Sequence, residues 1–99
     1  MKQFLLIADY APDYLSTRPA HRPAHLDLAR QSAERDELQL GGAVPDADPP
    51  FGLLLFKAET PAIAEAFAKA DPYVVNGVVT GWRVCEWVTV VGETALTQV

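Results

Sequence analysis

Gly52-Leu53-Leu54-Leu55-Phe56-Lys57-Ala58, followed by Glu59 and then Thr60-Pro61, is the stretch on which the fold turns. An apolar run this short, ended by a helix-start signal, suits a strand better than a buried helix. Thr60 can serve as an N-cap with Pro61 at the first helical position, so a helix is expected over about residues 61–69. Working towards the N-terminus, Asp46, Asp48, Pro49 and Pro50 make a turn-rich connection, and Leu38–Val44 before it alternates briefly as a second strand closed by Pro45. Residues 17–38 place Ala24, Leu26, Leu28, Ala29, Ala33 and Leu38 among charged residues. This predicts a helix of about four turns, N-capped by Thr17 and kinked at Pro23. Residues 3–9 form another compact apolar run, bounded by Asp9, Pro12 and Asp13, and read as the first strand. Towards the C-terminus, Asp71-Pro72 repeats the helix-start signal for a short turn through Tyr73 and Val74, broken by Asn76-Gly77. Val79–Val91, rich in Val, Trp and Thr, reads as a long last strand. The order is β-α-β-β-α-β, an α+β, ferredoxin-like arrangement with an antiparallel sheet and helices on one face.

Length and composition bound the rest. Ninety-nine residues suit one domain spanning 1–99, and 49% hydrophobic with 21% charged residues is ordinary globular usage. The net charge of −5 disfavours a nucleic-acid partner. The densest basic group, Arg18, His21, Arg22, His25 and Arg30, is mixed with Asp27 and Glu34 and reads as a solvated helix surface. Cys85 is the only cysteine, so no internal disulfide is possible and a reducing, cytoplasmic setting is expected. No run approaches the roughly 20 apolar residues of a membrane span, and the apolar start is too short and too quickly interrupted by Asp9 for a signal segment. No membrane association is expected.

A sheet with helices on one face should alternate apolar and polar residues. Phe4–Ala8 and Leu53–Phe56 are apolar on both parities, and the last strand sets Trp82, Val84, Val88 and Val90 against Cys85, Trp87 and Val91. The second face therefore needs a cover. A second copy of the sheet is the economical one, which predicts a two-fold homodimer; residues 93–99 folding back are the alternative.

Arg22-Pro23-Ala24-His25-Leu26, Gly41-Gly42 before the hairpin, the Thr60-Pro61 helix start, and above all Ala70-Asp71-Pro72-Tyr73-Val74 with Gly77-Val78 together resemble the YCII-related (YciI-like) proteins over residues 3–91. The resemblance implies a dimeric ferredoxin-like, α-β barrel fold. It also implies a histidine–aspartate active-site pair, which falls here on His25 and Asp71. Where many relatives close the first helix with glycine, this chain has Arg35-Asp36-Glu37. Asp36 tolerates a left-handed conformation. His21 and the acidic loop 46–50 have no counterpart in that pattern.

A histidine held by a carboxylate has a fixed tautomer and works as a base, so His25 is the candidate for proton transfer and Asp71 its orienting partner. Tyr73, Tyr10 and Tyr14 are expected to line the pocket for a small organic molecule or donate hydrogen bonds in it. One base without a cofactor suits proton abstraction followed by isomerisation or elimination, so a cofactor-independent lyase or isomerase is one reading. A non-catalytic ligand-binding or accessory module is the other, since Asp71 before Pro72 is also an ideal helix cap. His21 and His25 at i, i+4 lack a third ligand, and no metal is expected. Cys85 within a strand reads as an inert core thiol.

Overall fold

A computed structural model describes residues 1–99. Its elements are β1 (Lys2–Tyr10), α1 (Tyr14–Glu34), β2 (Leu38–Val44), β3 (Phe51–Ala58), α2 (Ala62–Ala70), α3 (Pro72–Val75) and β4 (Val79–Glu86). The strands form one antiparallel sheet in the order β2-β3-β1-β4, the ferredoxin-like order that a β-α-β-β-α-β chain takes when each half crosses over the sheet. Phe4 pairs with Phe56 and Leu6 with Leu54 across the two central strands. Strand alternation sends these four side chains to one face, where Ala64, Phe67 and Ala68 of α2 close over them. Phe56 and Ala68 are wholly buried, and the Phe67 ring lies 5.3 Å from that of Phe56.

Four details differ from the sequence reading, each for a local reason. α1 starts at Tyr14 and runs 21 residues, so Thr17 lies inside the helix with its buried Oγ1 unpartnered; the Ser16 and Thr17 amides already turn back to the Asp13 carbonyl. Pro19 and Pro23 lie within this one helix, both exposed. The carbonyls they leave without donors therefore stay within reach of water. α2 starts one residue later than expected, though Thr60 Oγ1 still accepts from the Ala62 amide at 3.3 Å. β4 stops at Glu86 and does not reach Val91. Its only neighbour, β1, begins at Lys2, so the Trp87 amide bonded to the Gln3 carbonyl at 2.8 Å is the last rung available. Cys85 is the fourth: it pairs with Leu5 on the face away from the helices and is exposed, not a core thiol.

That outer face carries half-buried Leu5, Ile7, Leu53 and Leu55, with Leu40 and Trp87 exposed at its margins. The C-terminal segment is tied to one end of it. Gln3 Nε2 donates to the Thr94 carbonyl, Gln3 is bonded to Thr89 Oγ1, and the Thr97 amide returns to the Thr89 carbonyl. Asp36, just past α1, takes φ 61°, and its carboxylate is held by Lys57 Nζ at 2.6 Å. No helix is long and apolar enough to cross a membrane.

Candidate functional site

α1 packs unlike α2. Only Tyr14 and Ser32 of its 21 residues are buried, and it meets β2 and α3 more than the central strands. The reason lies in the two surfaces that face each other. The helix presents Arg18, Arg22, His25, Leu26, Ala29, Arg30 and Ala33, a set spaced three and four apart and so collected on one face. Opposite stand Ala8, Gly41, Ala43 and Gly52, which carry little or no side chain. Long cationic side chains over a floor of small residues cannot close-pack, and a cavity of about 290 Å³ remains between them. Its size falls near the lower end of small-molecule pockets, which run from about 300 to 1,000 Å³.

Asp71 and His25 meet at the wall of this cavity. The chain leaves α2 at Asp71 in an extended conformation (φ −65°, ψ 121°), and Pro72 at the next position starts α3. The Asp71 side chain turns back as the cap, accepting from the Tyr73 amide at 3.0 Å through Oδ1. The same oxygen lies 2.8 Å from His25 Nδ1. Asp71 is buried and the His25 side chain is 15% exposed, so water competes little for this contact. A carboxylate can only accept, so Nδ1 carries the proton and donates, which leaves Nε2 as the ring's open acceptor. Tyr73 fixes the plane of the imidazole by stacking on it, centroids 3.8 Å apart and 6° from parallel, while Phe67 meets it edge-on at 6.4 Å.

The three tyrosines take different places. Tyr10 and Tyr73 line the cavity. Tyr14 does not; it stacks behind Tyr10 at 4.4 Å, with the Arg18 guanidinium 5.4 Å from its ring centre. Gly52 is what lets Tyr10 lie across β3, since a Cβ there would come within 3.2 Å of the Tyr10 hydroxyl. Burial pushes the Tyr10 phenol above its ordinary pKa, with the Arg18 guanidinium pulling the other way. Burial likewise raises Tyr73, opposed by Arg22 and Arg18. Both hydroxyls therefore stay protonated, as neutral donors, throughout the neutral range. His21 is off the cavity, and no three His, Cys, Asp or Glu side chains come together as a metal site would need.

Arg18, Arg22 and Arg30 were read in sequence as a solvated surface; Arg22 and Arg30 are indeed exposed and Arg18 is half-buried, but all three also line the cavity. The available signal was their spacing: 18, 22, 25, 29 and 33 fall on one helical stripe, with 26 and 30 beside it. Which way that stripe points could not be known without the sheet beneath it.

The model of the YCII-related domain matches residues 2–88. Among solved structures the chain is similar to the 5-chloro-2-hydroxyhydroquinone dehydrochlorinase TftG of Burkholderia phenoliruptrix AC1100, in complex with 2,5-dihydroxybenzoquinone. The identity is 23%, covering 94% of this chain and 98% of that one, with a TM-score of 0.75, a likeness of fold. The C-terminal domain of the Mycobacterium tuberculosis MgtC protein is a looser match, 18% identical over 99% of this chain and 95% of that one with a TM-score of 0.49. No curated protein matches the chain.

Proposed function

The chain belongs to the YCII-related domain family, and on that premise we propose that it is a cofactor-independent lyase or isomerase acting on a small organic molecule, with His25 as the general base. The observation that carries this reading is the 2.8 Å contact between His25 Nδ1 and a buried Asp71 at the wall of a ligand-sized cavity. With Nδ1 committed to the carboxylate, Nε2 takes a proton from a carbon or hydroxyl acidified by a neighbouring carbonyl. The electron pair left behind moves onto the carbonyl oxygen, where the neutral Tyr10 or Tyr73 hydroxyl can donate to it. Return of the proton from His25 to another carbon gives isomerisation. Departure of a leaving group from the adjacent carbon, with its bonding pair, gives elimination. Asp71 orients the imidazole and stabilises the imidazolium formed midway, and proton transfer by a base so positioned typically contributes about 10²–10⁴-fold in rate. A dehydrochlorinase on the same fold, bound to a small quinone, is in keeping with this chemistry.

The working unit in this reading is a homodimer. The apolar outer face supports it, because half-buried Leu5, Leu53 and Leu55 and exposed Leu40 and Trp87 line an open apolar hollow there. A single free thiol at Cys85 fits a reducing, cytoplasmic setting.

The second reading, a ligand-binding or accessory module without turnover, is favoured by one observation: the Asp71 oxygen that meets His25 also caps α3, which is reason enough for an aspartate there. A screen of small hydroxylated quinones and hydroquinones separates the two. Mass spectrometry would follow solvent deuterium entering the compound, and absorbance its conversion. Exchange or conversion lost at least about 100-fold in His25→Ala, with binding retained, supports the base. Binding by both proteins with turnover by neither leaves the module, and equal turnover by both removes His25 from the chemistry.

A further inference from the structure

Of the 8 lysines and arginines in a chain of net charge −5, three line one cavity. Arg18, Arg22 and Arg30 take part in no ion pair, although the Arg18 guanidinium lies over the Tyr14 ring and beside the Tyr10 hydroxyl. Of the five basic side chains outside the cavity, Lys2, Arg35 and Lys57 are paired with Glu86, Glu37 and Asp36, and Lys69 and Arg83 are not. Asp27 and Glu34 lie within about one turn of Arg30 and still leave it unpaired. The only carboxylate lining the cavity is Asp71, already occupied by His25 and the Tyr73 amide. Like charges four residues apart, as at 18 and 22, weaken a helix. Guanidiniums gathered over a low-dielectric wall focus a positive field into the space between them, against the sign of the whole chain. Leu26, Ala29, Leu38 and Leu54 supply apolar lining.

We infer that the cavity binds a small organic oxyanion, a carboxylate or phosphate on an apolar body, through Arg18, Arg22 and Arg30. The planar guanidinium fork matches either oxyanion, and Arg22 and Arg30 flank His25 along α1, so an anion held there presents its body to the base. This inference rests on the proposed reading of the cavity as the substrate site and names the substrate's charge class.

Binding is read by ¹H–¹⁵N chemical-shift titration of the whole chain with benzoate and phenyl phosphate, using benzamide as the uncharged comparator. The expected result is saturable binding of at least one anion about tenfold or more tighter than benzamide, weakening as salt is raised. Arg22→Met and Arg30→Met each lower anion affinity about tenfold or more, while Lys69→Gln, which removes the same charge on α2, does not. Whichever anion binds more tightly identifies the oxyanion. Equal affinity for benzamide, no saturation by either anion, or the same loss in Lys69→Gln as in the arginine variants overturns the inference. Titration of His25→Ala keeps the two proposals apart. Anion binding retained there stands whether or not His25 catalyses, and turnover of an uncharged compound in the quinone screen would leave His25 as base while removing the anion requirement.

Discussion

A double-mutant cycle on His25 and Asp71 measures the contact from which the chemistry is argued. The single changes are His25→Leu and Asp71→Asn, and stability is read from urea unfolding followed by tryptophan fluorescence. Asparagine keeps an oxygen where Asp71 Oδ1 accepts from the Tyr73 amide, so most of the α3 cap survives, and what is lost is the charge facing His25. A hydrogen bond to a charged group contributes about 1.5–3 kcal/mol net and a neutral one about 0.5–1.5. The Asp71 side chain is 4% exposed and the His25 side chain 15%, so screening by water removes little of that difference. Asp71→Asn should therefore cost about 1–2 kcal/mol. Asp71→Ala should cost about 2–4, because it adds the lost cap, worth about 1, to an imidazole left without its partner. His25→Leu fills a similar volume but removes the ring stacking on Tyr73 and the edge contact with Phe67 along with the hydrogen bond; those losses are common to both arms of the cycle and cancel from the coupling. The coupling between His25→Leu and Asp71→Asn should reach about 1 kcal/mol or more. A coupling below about 0.5 kcal/mol, the scatter expected of independent sites, would refute the reasoning and leave Asp71 as a helix cap alone.

Gly52→Val forces bulk against the Tyr10 hydroxyl and should destabilise by about 1–3 kcal/mol, with the Tyr10 ring resonances shifting; unchanged resonances would mean the ring does not lie across β3. Tyr10 and Tyr73 have folded pKa values raised by burial, so the stability they contribute is complete below about pH 10, the ordinary tyrosine value, and is lost as the pH climbs from there through the higher folded values. Alkaline titration of phenolate absorbance, paired with urea midpoints, should show late-titrating tyrosines and a midpoint falling only in that range; a midpoint that rises there would reverse the sign. The proposed homodimer is checked by sedimentation velocity: the unaltered chain should sediment as a dimer and Leu55→Lys, at the middle of the outer sheet face, as a monomer with its far-ultraviolet circular dichroism retained; a monomeric unaltered chain would remove the dimer, and a coefficient unchanged by the substitution would place the interface elsewhere.

Much of this protein was legible in short stretches of chain. Apolar runs bounded by Pro, Asp and Gly determined the strands at Lys2–Tyr10 and Phe51–Ala58, and Asp71-Pro72 determined the start of α3, because strand period, capping and proline geometry act within a few residues. Two apolar parities on the central strands likewise announced a sheet with something to bury on both faces. Local signals misplaced what depends on a neighbour. β4 ends where β1 has no more rungs to offer, and Cys85 is exposed because its parity falls on the outer face. The site divides the same way. His25 and Asp71 were singled out in sequence, but 46 residues separate them, and their 2.8 Å contact exists only because α1 and α3 are laid side by side on one sheet. The arginine stripe of α1 is visible as a spacing. Only its placement above Ala8, Gly41 and Gly52 makes it the wall of a cavity, since an empty volume belongs to two surfaces and is written in neither alone.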